Sequence, residues 1–258
     1  PIAKLKKGID YLSPEIEILA DESLPQDSKE DLDKFLKVWL SNYINEVLSD
    51  LLNLTKIEEE NKYIRALIFQ IYESNGFVKR FDVDQIIKLI SKEERKKLWN
   101  MGIKIGRYHV YLPKMLKPKA VSLRVSLWKL FYNLDSSSSI PKFGLNFIIN
   151  ENYDKSFLLI CGFENFKDFF IRIDILEKLF MNILDKTKDR KFEITAKMMN
   201  LLGCTKENFH KLMFFMNYKK DKKENTYIFS GDIKKNKKTL KIKKNSNPFS
   251  KLLSLNIK

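Results

Sequence analysis

The stretch GIKIGRYHVYLPKMLKPKA (residues 102–120) carries more local structural information than any other part of the chain. Residues 103–111 are rich in β-branched and aromatic side chains, which favour an extended strand. Pro113 interrupts that strand, and Pro118 suits the first turn of a helix, where no amide donor is needed. The stretch therefore predicts a strand, a proline-marked turn and a helix that continues to about residue 134.

Helices are predicted on the N-terminal side of this stretch. Apolar residues recur every three or four positions over residues 32–51, which is the spacing of one helix face. Ser28 begins the pattern Ser-Lys-Glu-Asp, which resembles a capping box, so we expect the long helix to begin there. A second helix is expected over residues 59–74, and two shorter helices are expected after caps at Asp82 and Ser91.

The second half begins with a serine-rich segment, residues 135–139, which predicts a linker and a domain boundary. Residues 145–149 and 157–161 are apolar runs on either side of a polar segment, and we expect them to pair as strands. Residues 166–173 are expected to be extended and to lead into a helix capped by Asp174.

Two further helices and a hairpin are predicted at the end of the second half. They cover residues 194–202, which Gly203 ends, residues 206–216, which Thr205 caps, and residues 218–230. A winged helix has the same order of elements. It consists of three helices, with a tight turn between the last two, followed by a hairpin. Many small α+β domains share that order, so both alternatives stay open.

The predicted fold class is therefore mainly α with a smaller α+β part. A mostly helical accessory domain is expected over residues 1–134, and it ends in the basic strand, turn and helix described above. A small α+β, winged-helix-like domain is expected over residues 141–231, followed by a Lys-rich tail over residues 232–258. A length of 258 residues suits one large domain or two modest ones.

The net charge of +15 is concentrated in two segments. Residues 101–129 contain seven Lys or Arg and no acid, residues 219–244 have a net charge of +8, and the remainder is neutral on balance. Cations held close together favour a polyanionic partner, because neutralising phosphates requires several of them at once. The alternative is a chain that is simply Lys-rich in general.

Other compositional features concern the location of the protein. No apolar run approaches the length of a membrane span, and no secretory signal follows Pro1, so we expect a protein of the cytoplasm with no membrane partner. Cys161 and Cys204 are too few for a disulfide scaffold, which also favours a reducing compartment. Because the chain begins with Pro and not Met, we expect a processed protein or a fragment of a longer one.

The sequence contains no independent sign of an enzyme. The Gly-x4-Gly-Lys-Ser/Thr pattern of a phosphate-binding loop is absent. His109 and His210 lie in no metal-ligand spacing, and we expect both to have structural roles. Cys161 and Cys204 are expected to be buried as small apolar residues. We therefore predict no catalytic residue, metal site or cofactor within this chain.

The basic stretch favours a nucleic-acid interface. Cations that contact phosphates and rings that stack on bases are the two components of single-strand binding sites. The alternative is that Tyr108 and Tyr111 pack in the core while the cations form a solvated face. The candidate nucleic-acid-binding residues are Lys104, Arg107, Tyr108, His109, Tyr111, Lys114, Lys117, Lys119 and Arg124.

Residues 98–130 resemble the C-terminal region of helicase-related proteins of alphaproteobacteria, in which a superfamily-two core similar to the mitochondrial degradosome RNA helicase comes first. The segments at residues 17–25, 173–177 and 201–204 resemble that region in the same order, although this chain is richer in Lys and poorer in Gly and Ala. The family pattern is matched by Gly102, Ile103, Gly106, Arg107, Pro113, Leu116, Lys117, Pro118, Ala120, Leu127 and Trp128.

The resemblance implies an accessory region of an ATP-dependent helicase that acts on RNA or DNA. The motor domains, which use ATP and Mg²⁺, would lie upstream in the same polypeptide, and this region would grip one strand while they translocate. One alternative is a free-standing nucleic-acid-binding adaptor, for example one associated with ribosomes. Another is a protein-interaction scaffold whose lysines bind nothing specific. None of these hypotheses fixes an oligomeric state.

Overall fold

The computed structural model describes residues 2–19, 25–58, 61–134, 138–149, 153–221 and 225–230. Within these ranges the fold is mainly α-helical, with four small antiparallel sheets among the helices. The predicted mixed class, mainly α with some β structure, is therefore confirmed. The expected Lys-rich tail over residues 232–258 and most of the serine-rich linker lie outside the described residues.

A two-stranded sheet and three helices form the N-terminal part. Pro25 precedes the first turn of α1, and no side chain caps it, so the cap predicted at Ser28 is wrong. The extended backbone of Pro25 lets the helix begin directly after it, which places Ser28 inside the first turn. The elements are β1 (Ala3–Lys6), β2 (Glu15–Ile18), α1 (Gln26–Val47), α2 (Ser49–Asn53) and α3 (Lys62–Glu73).

The predicted extended stretch 103–111 forms two short strands joined by a tight loop. Ser91 caps α5 in a complete capping box with Glu94, as predicted. The cap predicted at Asp82 is wrong, because the extended residue Lys79 leads from strand to helix without a break. The elements are β3 (Phe77–Lys79), α4 (Arg80–Leu89), α5 (Lys92–Asn100), β4 (Lys104–Ile105) and β5 (His109–Tyr111), with the strands in the order β3-β5-β4.

Residues 157–161, predicted as a strand, belong instead to a short helix and the turn that follows it. The Asp154 carboxylate accepts a hydrogen bond from the Phe157 amide at 2.9 Å and caps this helix. A short apolar run has no periodicity that separates a strand from a buried helix, so the local cap decides. The elements are α6 (Pro118–Phe131), β6 (Phe147–Ile149), α7 (Lys155–Ile160), β7 (Phe163–Phe166) and β8 (Phe169–Arg172), and β6 pairs with β8.

The last part follows the predicted order of three helices and a hairpin. Thr205 caps α10, and Gly203 ends α9 with a left-handed backbone at φ 70°, as predicted. Asp174 does not cap α8 but lies in its first turn and pairs with Arg172 at 2.7 Å. The elements are α8 (Ile173–Lys186), β9 (Lys191–Glu193), α9 (Ala196–Leu202), α10 (Lys206–Phe215), β10 (Tyr218–Lys220) and β11 (Thr226–Phe229).

One order of elements occurs three times along the chain. We call residues 62–111, 118–172 and 173–229 the first, second and third units. Each contains a helix, a strand, one or two further helices and a closing strand pair. In each sheet the last strand lies between the other two, so the spatial order is first, third, second. The sequence analysis did not predict this recurrence.

The apolar core joins the units through α6 and the start of α8. Ala120 and Leu127 of α6 belong to the cluster formed with the N-terminal helices. Val121 and Val125, on another face of α6, pack with the second unit. A small cluster of Tyr111, Leu116 and Ile173 links the first unit to the third. The hairpin β4–β5 is therefore held between units, and its surroundings define the candidate site.

Candidate nucleic-acid interface

The hairpin β4–β5 is anchored by three consecutive backbone amides that donate to one carboxylate. The amide of Arg107 donates to Glu177 Oε2 at 2.7 Å. The amides of Tyr108 and His109 both donate to Glu177 Oε1 at 2.8 Å. We call this arrangement the Glu177 clasp. It joins the hairpin of the first unit to α8 of the third unit, and Glu177 is buried there.

Gly106 makes the close approach of the carboxylate possible. A Cβ atom at residue 106 would lie 2.4 Å from the carboxyl carbon of Glu177, which is closer than any stable contact. The Gly106 amide donates to the His109 carbonyl at 2.8 Å and closes the loop. Gly106, which matches the family pattern, thus has a local packing role.

His109 is buried between two carboxylates. Its Nε2 lies 2.7 Å from Glu164 Oε2, whose other oxygen accepts a hydrogen bond from Lys79 at 2.7 Å. Its Nδ1 lies 3.7 Å from Glu177 Oε1, which is a charge contact and too long for a hydrogen bond. When His109 is an imidazolium, its positive charge and that of Lys79 balance the negative charges of Glu164 and Glu177, as a buried ionic cluster requires.

The pKa values in this cluster reflect the same contacts. Burial acts to lower the pKa of His109, but its hydrogen bond and charge contacts with Glu164 and Glu177 outweigh burial and raise it. Burial acts to raise the pKa of Glu164, and the hydrogen bonds from His109 and Lys79 outweigh it and lower it. For Glu177, burial is likewise outweighed by His109 and the clasp amides, so the pKa is lowered. The imidazolium of His109 and the carboxylates of Glu164 and Glu177 therefore stabilise one another.

Several residues predicted to contact nucleic acid are buried or half-buried. Tyr111 is 6% exposed, and burial raises its pKa to about 12. Tyr108 is half-buried and packs edge-on against Phe180 at a centroid distance of 5.7 Å. Like Tyr111, His109 is buried and has no ring surface open to a base. Tyr111 therefore packs inside, as the alternative interpretation from the sequence expects, and Tyr108 is only partly covered.

Arg124 is fully buried in α6, although it was predicted to bind nucleic acid. Its guanidinium donates to the carbonyls of Asn75 at 3.0 Å and Met115 at 2.8 Å, and it lies 5.1 Å from the centre of the Phe77 ring. Burial lowers its pKa to about 10. A fully buried guanidinium cannot reach a phosphate at the surface, so Arg124 is excluded from the interface together with the buried His109 and Tyr111, whereas contact of Tyr108 with nucleic acid stays a prediction.

The three lysines around α6 are exposed but lie apart from the hairpin. Lys114 forms an ion pair with Asp50 at 2.8 Å. Lys117 and Lys119 are exposed at the start of α6. None of these three lysines is part of the lining of the groove between the hairpin and α8. Their contact with nucleic acid therefore stays a prediction.

A groove of about 590 Å³ runs between the hairpin β4–β5, the end of α5 and one face of α8. We call it the hairpin groove. Its volume lies within the range typical of ligand sites. Two of the predicted cations, Lys104 and Arg107, line it and are exposed. Lys178 on α8 is a third exposed cation, and Arg80 is held by a hydrogen bond to the Gly106 carbonyl at 2.7 Å.

Apolar surface accompanies the cations in the hairpin groove. Trp99 is 62% exposed and Met181 is 56% exposed. Lys104 Nζ lies 5.5 Å from the centre of the Trp99 ring, and the Arg107 guanidinium lies 5.8 Å from the centre of the Phe180 ring. The sequence analysis missed Trp99 and Lys178, and Lys178 gives no local signal. The signal available in the sequence for Trp99 was two adjacent large apolar residues, Leu98 and Trp99, just before the basic stretch.

Cys161, Cys204 and His210 all have shifted pKa values. Burial raises the pKa of Cys161 to about 12 and that of Cys204 to about 11, so both thiols are protonated near neutral pH. His210 contacts the Tyr227 hydroxyl, and burial together with nearby lysines lowers its pKa. Among the described residues, no three His, Cys, Asp or Glu side chains could hold a metal ion.

No helix in the described ranges is both long and apolar enough to cross a membrane. Comparisons with protein-family models, with curated proteins and with solved structures found no match for this chain.

Proposed function

We propose that the hairpin groove binds one strand of nucleic acid, RNA or DNA, mainly through its sugar-phosphate backbone. The observation that carries the proposal is the groove itself, where exposed Lys104, Arg107 and Lys178 lie beside exposed apolar surface. Exposed cations neutralise phosphates at little desolvation cost. Contacts to phosphate and sugar carry no sequence information, so binding would be independent of sequence.

The Glu177 clasp supports the proposal because it fixes both walls of the groove. Arg107 uses its backbone amide for the clasp, which leaves its guanidinium exposed over Phe180. The cations of the hairpin and of α8 are thus held on a common frame before a ligand arrives. Binding to a preorganised site loses less free energy to ordering of side chains and loops.

We further propose that the chain is the accessory region of an ATP-dependent helicase that acts in the cytoplasm. The groove would hold one strand while motor domains upstream in the same polypeptide translocate with ATP and Mg²⁺. The support is the resemblance of residues 98–130, because this segment contains Trp99, the whole hairpin and the three clasp amides.

We also propose that the third unit is a winged-helix-like module and that the first unit is built in the same way. The support is the order of helix, strand, two helices and hairpin in both units, with the last strand central in each sheet. In helix-turn-helix proteins the recognition helix contacts nucleic acid. By analogy, α5 is that helix in the first unit, and it borders the groove together with the hairpin β4–β5.

Strand binding is tested with a labelled single strand titrated across salt concentrations. Each phosphate contact contributes about 0.7 to the log–log slope of affinity against salt. The triple variant Lys104→Ala, Arg107→Ala, Lys178→Ala should therefore bind more weakly, with a slope smaller by about 2. Since Arg107→Ala keeps the backbone amide, the clasp remains intact.

The matched control removes the same charge from exposed lysines outside the groove, namely Lys56, Lys155 and Lys186. Replacing these three with Ala should leave the slope much closer to that of the wild type. Equal affinity and slope in the groove variant and the wild type would refute binding through this groove.

The helicase part of the proposal is tested by the reading frame of the gene and by activity. We expect the frame to continue upstream through a phosphate-binding loop motif, and we expect the purified chain alone not to hydrolyse ATP. A frame without that motif would refute the helicase assignment and favour a free-standing adaptor. ATP hydrolysis that survives repurification would contradict the placement of the motor upstream.

A further inference from the structure

Trp99 is the most exposed aromatic side chain in the hairpin groove. It is 62% exposed, whereas the preceding residue Leu98 is fully buried. The Trp99 carbonyl accepts a hydrogen bond from the Gly102 amide at 2.9 Å, and the Leu98 carbonyl accepts one from the Ile103 amide at 3.0 Å. The indole therefore projects from a fixed helix end and not from a free loop.

The other rings that line the groove are occupied by the protein itself. Tyr111 is buried with Leu116 and Ile173. Phe180 packs edge-on against Tyr108 and is only partly exposed. Among the groove residues that the structure describes, Trp99 is thus the ring with the most open surface for a ligand.

The charges around Trp99 match the chemistry of a nucleotide. Lys104 Nζ lies 5.5 Å from the centre of its ring, and Lys104 and Arg107 both line the same groove. A base that stacks on the indole would bring its phosphates within reach of these side chains. Stacking on an exposed ring with cations beside it is how single strands are held without regard to sequence.

We propose that Trp99 stacks against a nucleobase and makes the hairpin groove selective for single strands over duplexes. This inference rests on the proposed function and adds the substrate class to it. Bases in a duplex are already stacked on one another, so a duplex can present a base to Trp99 only after unstacking it. Every base has a flat π-face, so the preference for single strands extends to all sequences.

Trp39 provides a matched control for Trp99. It is 55% exposed on α1, outside the groove, and stacks on Tyr43 at a centroid distance of 5.7 Å. Single exposed apolar residues are common on protein surfaces, so exposure alone assigns Trp39 no ligand. Replacing either Trp removes a similar exposed ring, and only the Trp99 variant removes one from the groove.

The experiment measures the affinity of the full chain for three labelled ligands, which are a single strand, an abasic strand of equal length and a duplex. Trp99→Ala should bind the single strand about 5- to 150-fold more weakly than the wild type, the range expected for one stacked base. Wild type and Trp99→Ala should bind the abasic strand equally, because it has phosphates but no bases. Trp99→Phe should retain part of the affinity, and Trp39→Ala all of it.

Intrinsic fluorescence gives a second measurement. Addition of the single strand should quench the emission of Trp39→Phe strongly and that of Trp99→Phe weakly, because stacking on a base quenches only the indole in contact. Equal quenching in the two variants would contradict the assignment of the stacking ring to Trp99.

The outcomes separate the two proposals. If Trp99→Ala binds the base-containing strand as tightly as the wild type, stacking is refuted while cation-dependent binding stands. A duplex bound as tightly as the single strand would refute the selectivity. If the wild type binds no strand, or if the groove triple variant binds as the wild type does, strand binding through this groove is wrong and the role of Trp99 falls with it.

Discussion

Replacement of Glu177 tests whether the clasp holds the first and third units together. The carboxylate accepts hydrogen bonds from three backbone amides at 2.7 to 2.8 Å and is buried. A buried donor left without an acceptor costs about 1–3 kcal/mol. Glu177→Ala leaves three such amides, but water can enter the space and satisfy some of them, so we expect a loss of roughly 3–6 kcal/mol.

Glu177→Gln is the more conservative change. Its remaining oxygen can still accept from Tyr108 and His109, but its amide group meets the Arg107 amide donor to donor. One unsatisfied donor predicts a loss of about 1–3 kcal/mol, to which the lost negative charge beside His109 adds. The free energy of unfolding should therefore decrease from wild type to Glu177→Gln to Glu177→Ala, as the number of remaining acceptors decreases.

Urea unfolding followed by far-UV circular dichroism measures these free energies. Glu207→Gln is the matched control, because the Glu207 side chain is 78% exposed and pairs with Lys211 one turn away. Substitutions at such surface positions usually change stability by less than about 0.5 kcal/mol. A Glu177→Ala variant that unfolds within about 1 kcal/mol of the wild type would refute a stabilising clasp, since even one orphaned amide costs that much.

Three further predictions concern the same region. The pKa of His109 is raised above 6.5, so its contribution to stability is complete below pH 6.5 and is lost as pH rises through the folded pKa. His109→Gln should accordingly flatten the decline of melting temperature above pH 6.5, and an unchanged profile would contradict this. Gly106→Ala should lower the free energy of unfolding by about 1–3 kcal/mol. The loss should be smaller in a Glu177→Ala background, where the clashing carboxylate is absent. Strictly additive losses in a double-mutant cycle would exclude the clash. Arg124→Met leaves two carbonyls without their donor and should cost about 2–4 kcal/mol in urea, whereas a neutral effect would mean that the guanidinium only fills space.

Local features of the fold were predictable because the deciding contacts are near in sequence. The capping box from Ser91 to Glu94 spans four residues, and Pro118, Gly203 and Thr205 act within one turn. The cap at Ser28 was wrongly predicted, because Pro25 already sets the start of α1. The helix α7 was also missed, since a five-residue apolar run is compatible with a strand and with a buried helix.

The candidate site was only partly predictable, because its geometry depends on distant partners. Lys104 and Arg107 were identified from the acid-free basic stretch, and both line the groove. No local pattern indicates that Glu177 binds amides 68 to 70 residues earlier. Charge counting also overestimated the interface, since Arg124 is a cation that satisfies carbonyls inside the protein. The type of a residue predicts which contacts it can make, but its burial decides whether it can make them with a ligand.

The clasp also imposes an order on synthesis. The hairpin amides leave the ribosome first, and the carboxylate that they bind is 70 residues farther along the chain. At about 5–20 residues per second, the first unit waits roughly 4–14 seconds for Glu177. During that interval the amides of Arg107, Tyr108 and His109 are present, but the Glu177 carboxylate that accepts their hydrogen bonds is not yet made. The first unit is thus completed only after translation has reached the third, so its maturation depends on the pace of elongation.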